Sequence, residues 1–157
     1  VSGALSRFVT YFVRFVTILA GFIAGCLAAS IFVNVMFAST LVAIMPEFSQ
    51  AGPALYVTVP FLALILANIS FGVFMIVAVA AELMGWRSWL VHAVGGAVVA
   101  LYAGWRLAEG MDRPDAASDP GLMLFTLAAG LVGGIAYWLV AGRNAGNWRE
   151  ELSAPQS

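Results

Sequence analysis

Charged residues cluster at a few points along this chain, and the runs between them are long and apolar. The hydrocarbon core of a bilayer needs about 20 apolar residues at a helical rise of about 1.5 Å. Four runs meet that length. The first lies between Arg14 and Glu47 and predicts a helix over 9–44, ending before Pro46. The second opens at Gly52-Pro53, where proline suits a first helical turn, and predicts a helix over 53–81. Pro60 lies inside it and predicts a bend, which neighbouring helices can accommodate in a membrane. The third, 88–107, contains His92 and is just long enough to span. The fourth, 120–142, begins with Asp119-Pro120, a capping residue followed by a first-turn proline. Residues 143–157 read as a polar tail, with Ser153 to Ser157 as a disordered end.

Composition sharpens this into a fold class. Of the 157 residues, 62% are hydrophobic and only 10% charged, whereas a soluble domain carries about a quarter charged residues. The expectation is a single all-α domain over 1–157, an antiparallel four-helix transmembrane bundle. Five arginines (Arg7, Arg14, Arg87, Arg143 and Arg149) fall on one side of a four-span path, and Arg106 and Arg113 on the other. Because positive charge collects on cytoplasmic flanks, both termini are expected inside. Tyr11, Trp86, Trp89, Tyr137 and Trp138 would lie at the inner interface, and Tyr56, Tyr102 and Trp105 at the outer one. All seven basic residues are arginine, and with abundant Ala and Gly this matches a GC-rich genome and a bacterial inner membrane.

Ile23-Ala24-Gly25-Cys26 after an Arg-containing start resembles a lipoprotein cleavage box. A lipoprotein would continue in polar sequence, however, and Leu27 to Met45 is apolar, which favours an intact first helix. The single cysteine excludes a disulfide framework and paired redox thiols. Cys26 reads as a packing residue, since a thiolate is costly in apolar surroundings.

Small residues recur every fourth position: Gly21, Gly25 and Ala29; His92, Gly96, Ala100 and Gly104; and Thr126, Gly130, Gly134, Trp138, Gly142 and Gly146. Helices in lipid associate where such residues let backbones approach. The glycines are therefore candidate packing positions, either within the chain or toward a partner subunit.

The polar positions that could carry chemistry are few. Asn68, Gly72, Met75, Val79 and Glu82 share a narrow arc of the second helix, and Cys26, Ser30 and Asn34 form a row on the first. Asn34 and Asn68 are plausible cross-helix partners, serving either as interhelical glue or as part of a ligand or ion path. Glu82 and His92 flank a short hairpin and could pair as a proton relay, because histidine titrates near neutral pH. The plainer alternative has Glu82 bonding Arg87 or Ser88 and His92 continuing the packing stripe.

One histidine cannot ligate haem from both faces, and zinc-protease, serine-hydrolase and phosphate-loop motifs are missing. The acidic loop from Glu109 to Asp119 lacks the ligand spacing of a calcium loop. A net charge of −1 offers no face for nucleic acid. A small multidrug exporter would carry a carboxylate inside its first helix, and this first helix has none. No metal, cofactor or catalytic residue is expected, and the balance leans away from an enzyme. The leading expectation is an assembly or accessory protein of a larger membrane complex, with the bilayer and a membrane-protein partner or further copies of the chain around it. The alternative is a small proton-coupled transporter using Asn34, Asn68, Glu82 and His92, and a lipid-headgroup enzyme ranks third.

Overall fold

The computed structural model describes residues 2–45 and 52–146. The connection 46–51 and the chain beyond 146, including Arg149, lie outside the described residues. The fold is all-helical: α1 (Ser2–Ile44), α2 (Leu55–Met84), α3 (Trp89–Gly110) and α4 (Pro120–Val140). All four are long and apolar enough to cross a membrane. Short 3-10 turns precede α2 (Gly52–Ala54), precede α4 (Pro114–Ser118) and follow it (Gly142–Asn144).

Local chemistry sets several of these boundaries. Asp119 caps α4 by accepting the Leu122 N–H at 2.8 Å, and Pro120 supplies the first turn. At the end of α2, Gly85 takes a left-handed conformation (φ 64°). The Trp86 N–H then reaches the Ala81 carbonyl at 3.0 Å and the Gly85 N–H the Glu82 carbonyl at 3.3 Å, the paired bonds of a Schellman ending.

The helices differ from the expected spans at their ends. α1 begins at Ser2 instead of near residue 9 and carries Arg7 and Arg14 within it. Gly52-Pro53 forms a 3-10 turn, so α2 proper starts at Leu55, passes through Pro60 and carries Glu82 within it. α3 runs on to Gly110, and α4 stops at Val140 instead of 142. Residues 143–146, expected as the start of a polar tail, include the buried Ala145 and Gly146, which turn back against the bundle. At Gly146 a Cβ would lie 3.1 Å from the Gly85 Cα, so the chain after α4 rests on the α2–α3 turn.

Packing is built on close backbone approach. A Cβ on Gly96 would collide with the Gly130 carbonyl and with Gly134, one on Gly130 would lie 2.6 Å from the Ala100 Cβ, and one on Gly104 would lie 3.2 Å from Thr126 Cγ2. A Cβ on Gly134 would collide with the His92 carbonyl. Together these contacts join α3 and α4. α4 meets α1 with a different set: Gly25 faces the Gly133 carbonyl, and Gly21 faces Tyr137 and Ala141. Gly133 belongs to none of the fourfold stripes and is the residue that opens this second side of α4. α1 and α2 join through Phe22 stacked on Phe74, with ring centroids 4.2 Å apart. The Ser30 hydroxyl also donates to the Val59 carbonyl, beside Pro60, at 2.7 Å.

Candidate functional site

The ionisable residues that the helices bury meet at one end of the bundle. Glu82 is buried in the last turn of α2, and its Oε1 pairs with the guanidinium of Arg14 on α1, through Nη2 and through Nε at 3.1 Å. Arg14 Nη2 also donates to the Ala141 carbonyl just past α4, at 3.0 Å. The second carboxylate oxygen, Oε2, accepts the Gly146 N–H at 3.1 Å. A single ion pair therefore fastens α1, α2 and the chain leaving α4. Glu82 reaches it from the shoulder of α2, about 40° round the helix from Asn68 at about 100° per residue. The left-handed Gly146 (φ 77°) turns the chain where its N–H meets the carboxylate.

A second clasp lies next to the first. Arg87 in the α2–α3 turn donates from Nε to the Ala145 carbonyl at 3.0 Å, and its own carbonyl accepts the Trp138 indole N–H at 2.8 Å. His92, in the first turn of α3, donates from Nδ1 to the Ser88 carbonyl at 2.9 Å. Nε2 is buried and has no hydrogen-bond partner. The reason is local: the ring lies against Gly142, where a Cβ would be 2.8 Å from Nε2. The Tyr137 ring flanks it, with centroids 5.5 Å apart.

The structure thus separates residues that the spacing suggested might meet. Glu82 pairs with Arg14, and neither ring nitrogen of His92 bonds to it. Asn34 turns its amide back to the Ser30 carbonyl at 2.9 Å, on its own helix, and does not meet Asn68. Asn68 itself is exposed, as are Gly72 and Val79, whereas Glu82 is buried, so the arc read as one face divides between bundle and surroundings. The role of Arg14 was missed because it reads naturally as a flanking charge. The available signal is that Arg14 and Glu82 are the base and the acid that border the first two apolar runs on one predicted side.

An apolar cavity of about 570 Å³ lies between α2 and α3, with parts of α1 and α4 beneath it. Its polar lining includes Cys26, Ser70 and His92. The Ser70 hydroxyl is already engaged by the Leu66 carbonyl at 2.6 Å. Among the described residues no three His, Cys, Asp or Glu side chains gather as a metal-binding group. Compared with protein-family models, curated proteins and solved structures, the chain matches none.

Proposed function

We propose that this chain is a multi-pass protein of a bacterial inner membrane, with four antiparallel spans and both termini cytoplasmic, that serves as an assembly or accessory subunit of a larger membrane complex. The pairing of Gly25 with Gly133 and Phe32 with Phe125, as of Gly96 with Gly130 and Gly104 with Thr126, supports the antiparallel order. The Arg14–Glu82 end, with Arg87, fits a cytoplasmic boundary, where Arg is favoured, and Trp138 fits a membrane interface.

One observation carries the assembly reading. Gly21 packs on Ala141 and the Arg14 guanidinium reaches the Ala141 carbonyl from further along α1, so residues 2–13 continue α1 past the end of α4 by at least about 18 Å at 1.5 Å per residue. Along that projection Leu5, Phe8, Val9, Phe12 and Val13 are all exposed. Apolar surface of this kind beyond the hydrocarbon marks a contact with another protein. Meanwhile the buried carboxylate is neutralised and hydrogen-bonded at both oxygens, which suits a structural fastening.

A carrier pathway through Asn34, Asn68, Glu82 and His92 has less support, because Asn68 is exposed, Glu82 is buried in its ion pair at the bundle end, and of the four only His92 lines the cavity between α2 and α3. Copurification in mild detergent tests the assembly reading. The wild-type chain is expected to bring down other membrane proteins, and Phe8→Asp with Phe12→Asp to release them while the chain still inserts. A wild-type chain that purifies alone under gentle extraction contradicts it. For orientation, a reporter fused after Gly110 is expected outside and one at the C-terminus inside.

A further inference from the structure

Most of the outward side of α2 is what lipid requires: Val57, Phe61, Leu64, Ile76, Val79 and Leu83 are all exposed. Asn68 breaks the pattern. It lies midway along the apolar stretch Gly52–Met84, is exposed, and makes no side-chain hydrogen bond among the described residues. At about 100° per residue, Val57, Phe61, Leu64, Gly72 and Val79 all fall within about 40° of it, so Asn68 is central to the outward face and not at its edge. Asn34 and Ser70, by contrast, bond within the chain, the Asn34 amide donating to the Ser30 carbonyl and the Ser70 hydroxyl to the Leu66 carbonyl. An amide at the middle of the hydrocarbon, facing lipid and unpaired, is costly and calls for a partner on a neighbouring helix.

We propose that the Asn68–Gly72 face of α2 is a homodimer interface, in which the Asn68 amides of two copies of this chain hydrogen-bond across a two-fold axis. A primary amide carries both donor and acceptor and is its own complement. A two-fold axis along the membrane normal sets the two Asn68 side chains at the same depth, whereas a different protein would have to present a matching polar group there. Gly72, one turn along, has nothing within 4 Å of where its Cβ would be, so the partner helix can approach closely at that point. This inference rests on the spanning reading of α2 and adds to the assembly reading a partner of known chemistry.

The test uses the full chain in its native membrane, with Cys26→Ala removing the native thiol. Leu64→Cys, one turn from Asn68 on the same face, is expected to form a disulfide-linked species of twice the chain mass under mild oxidation. Leu124→Cys, equally exposed on α4, is expected not to. Adding Asn68→Leu or Gly72→Leu to Leu64→Cys should reduce the linked dimer, and Asn68→Gln should preserve it. Between differently tagged copies, Asn68→Leu is expected to weaken association by about 3- to 30-fold, the range for interhelical hydrogen bonds of this kind. Both positions face outward, so the single chain keeps its fold, which unfolding in detergent verifies.

Linkage through Leu124→Cys instead of Leu64→Cys, linkage unchanged by both leucine variants, or a linked product containing a different protein overturns the proposal. The two readings fail separately. A Leu64-linked dimer that copurifies with nothing else removes the larger complex and keeps the interface, and a larger complex without Leu64 linkage does the reverse.

Discussion

Replacing Arg14 by Met strips the positive partner from a carboxylate that the fold has taken out of water. The two side chains retain only 13% and 10% of their exposure, so solvent screens the pair weakly. The substitution removes the ion pair with both guanidinium contacts to Oε1 and the bond to the Ala141 carbonyl. What remains for Glu82 includes the Gly146 N–H on Oε2. Breaking a buried pair from one side costs about 3–5 kcal/mol, mostly as the penalty of an uncompensated charge. Proximity to the bundle end, where water can reach a relaxed carboxylate, places the expected loss near the lower figure. Glu82→Met added to Arg14→Met removes the stranded charge, so the double variant should be more stable than the Arg14→Met single by about 1–3 kcal/mol. Titration of the purified chain from mild into denaturing detergent, followed by tryptophan fluorescence and circular dichroism, measures all the variants on one scale. A single variant within about 0.5 kcal/mol of wild type, or a double variant whose loss equals the sum of the two singles, would refute the view that this pair fastens three segments.

Gly96→Ala sets a methyl against the Gly130 carbonyl and should cost about 1–3 kcal/mol in the same titration, as overpacking does. Gly85→Ala forces a side chain into a left-handed position and is expected to destabilise by about 1 kcal/mol, although nothing lies within 4 Å of its Cβ. His92→Phe loses the bond to Ser88 but also removes the buried Nε2 that has no partner, so stability should change by no more than about 1 kcal/mol. If uptake or efflux by the chain is found, its survival in Glu82→Gln and His92→Phe variants would remove those residues from any transport path.

The helices themselves were legible in the sequence because hydrophobic length is a property of consecutive residues. The fourfold small-residue rows were legible for the same reason, and the row from His92 to Gly104 lies along the row from Thr126 to Gly134. Side-chain partnership was harder to read. Helical spacing places Asn68 and Glu82 about 40° apart, and nothing local says that this side of α2 opens outward at mid-span while Arg14 and the chain at Gly146 cover it at Glu82. The partner of Glu82 sits 68 residues earlier, and its second oxygen is met by a backbone N–H beyond α4, in a segment that reads as tail. Gly133 lies outside the row of Gly130 and Gly134, on the side of α4 that turns to α1, so the fourfold period does not mark it. Periodicity reports which residues share a face, while the choice of neighbour for that face depends on how all four helices settle.

The central claim is that the polypeptide crosses the lipid four times, and sided thiol labelling tests it most directly. In a Cys26→Ala background, Ser2→Cys, Gly52→Cys, Ser88→Cys, Asp115→Cys and Asn144→Cys place one thiol at each successive end of the helices. In sealed vesicles, a membrane-impermeant maleimide should reach positions 52 and 115 from one side only, and positions 2, 88 and 144 from the other side only. Labelling of consecutive positions from the same side, or of all five in intact vesicles of either orientation, would contradict the four-span account.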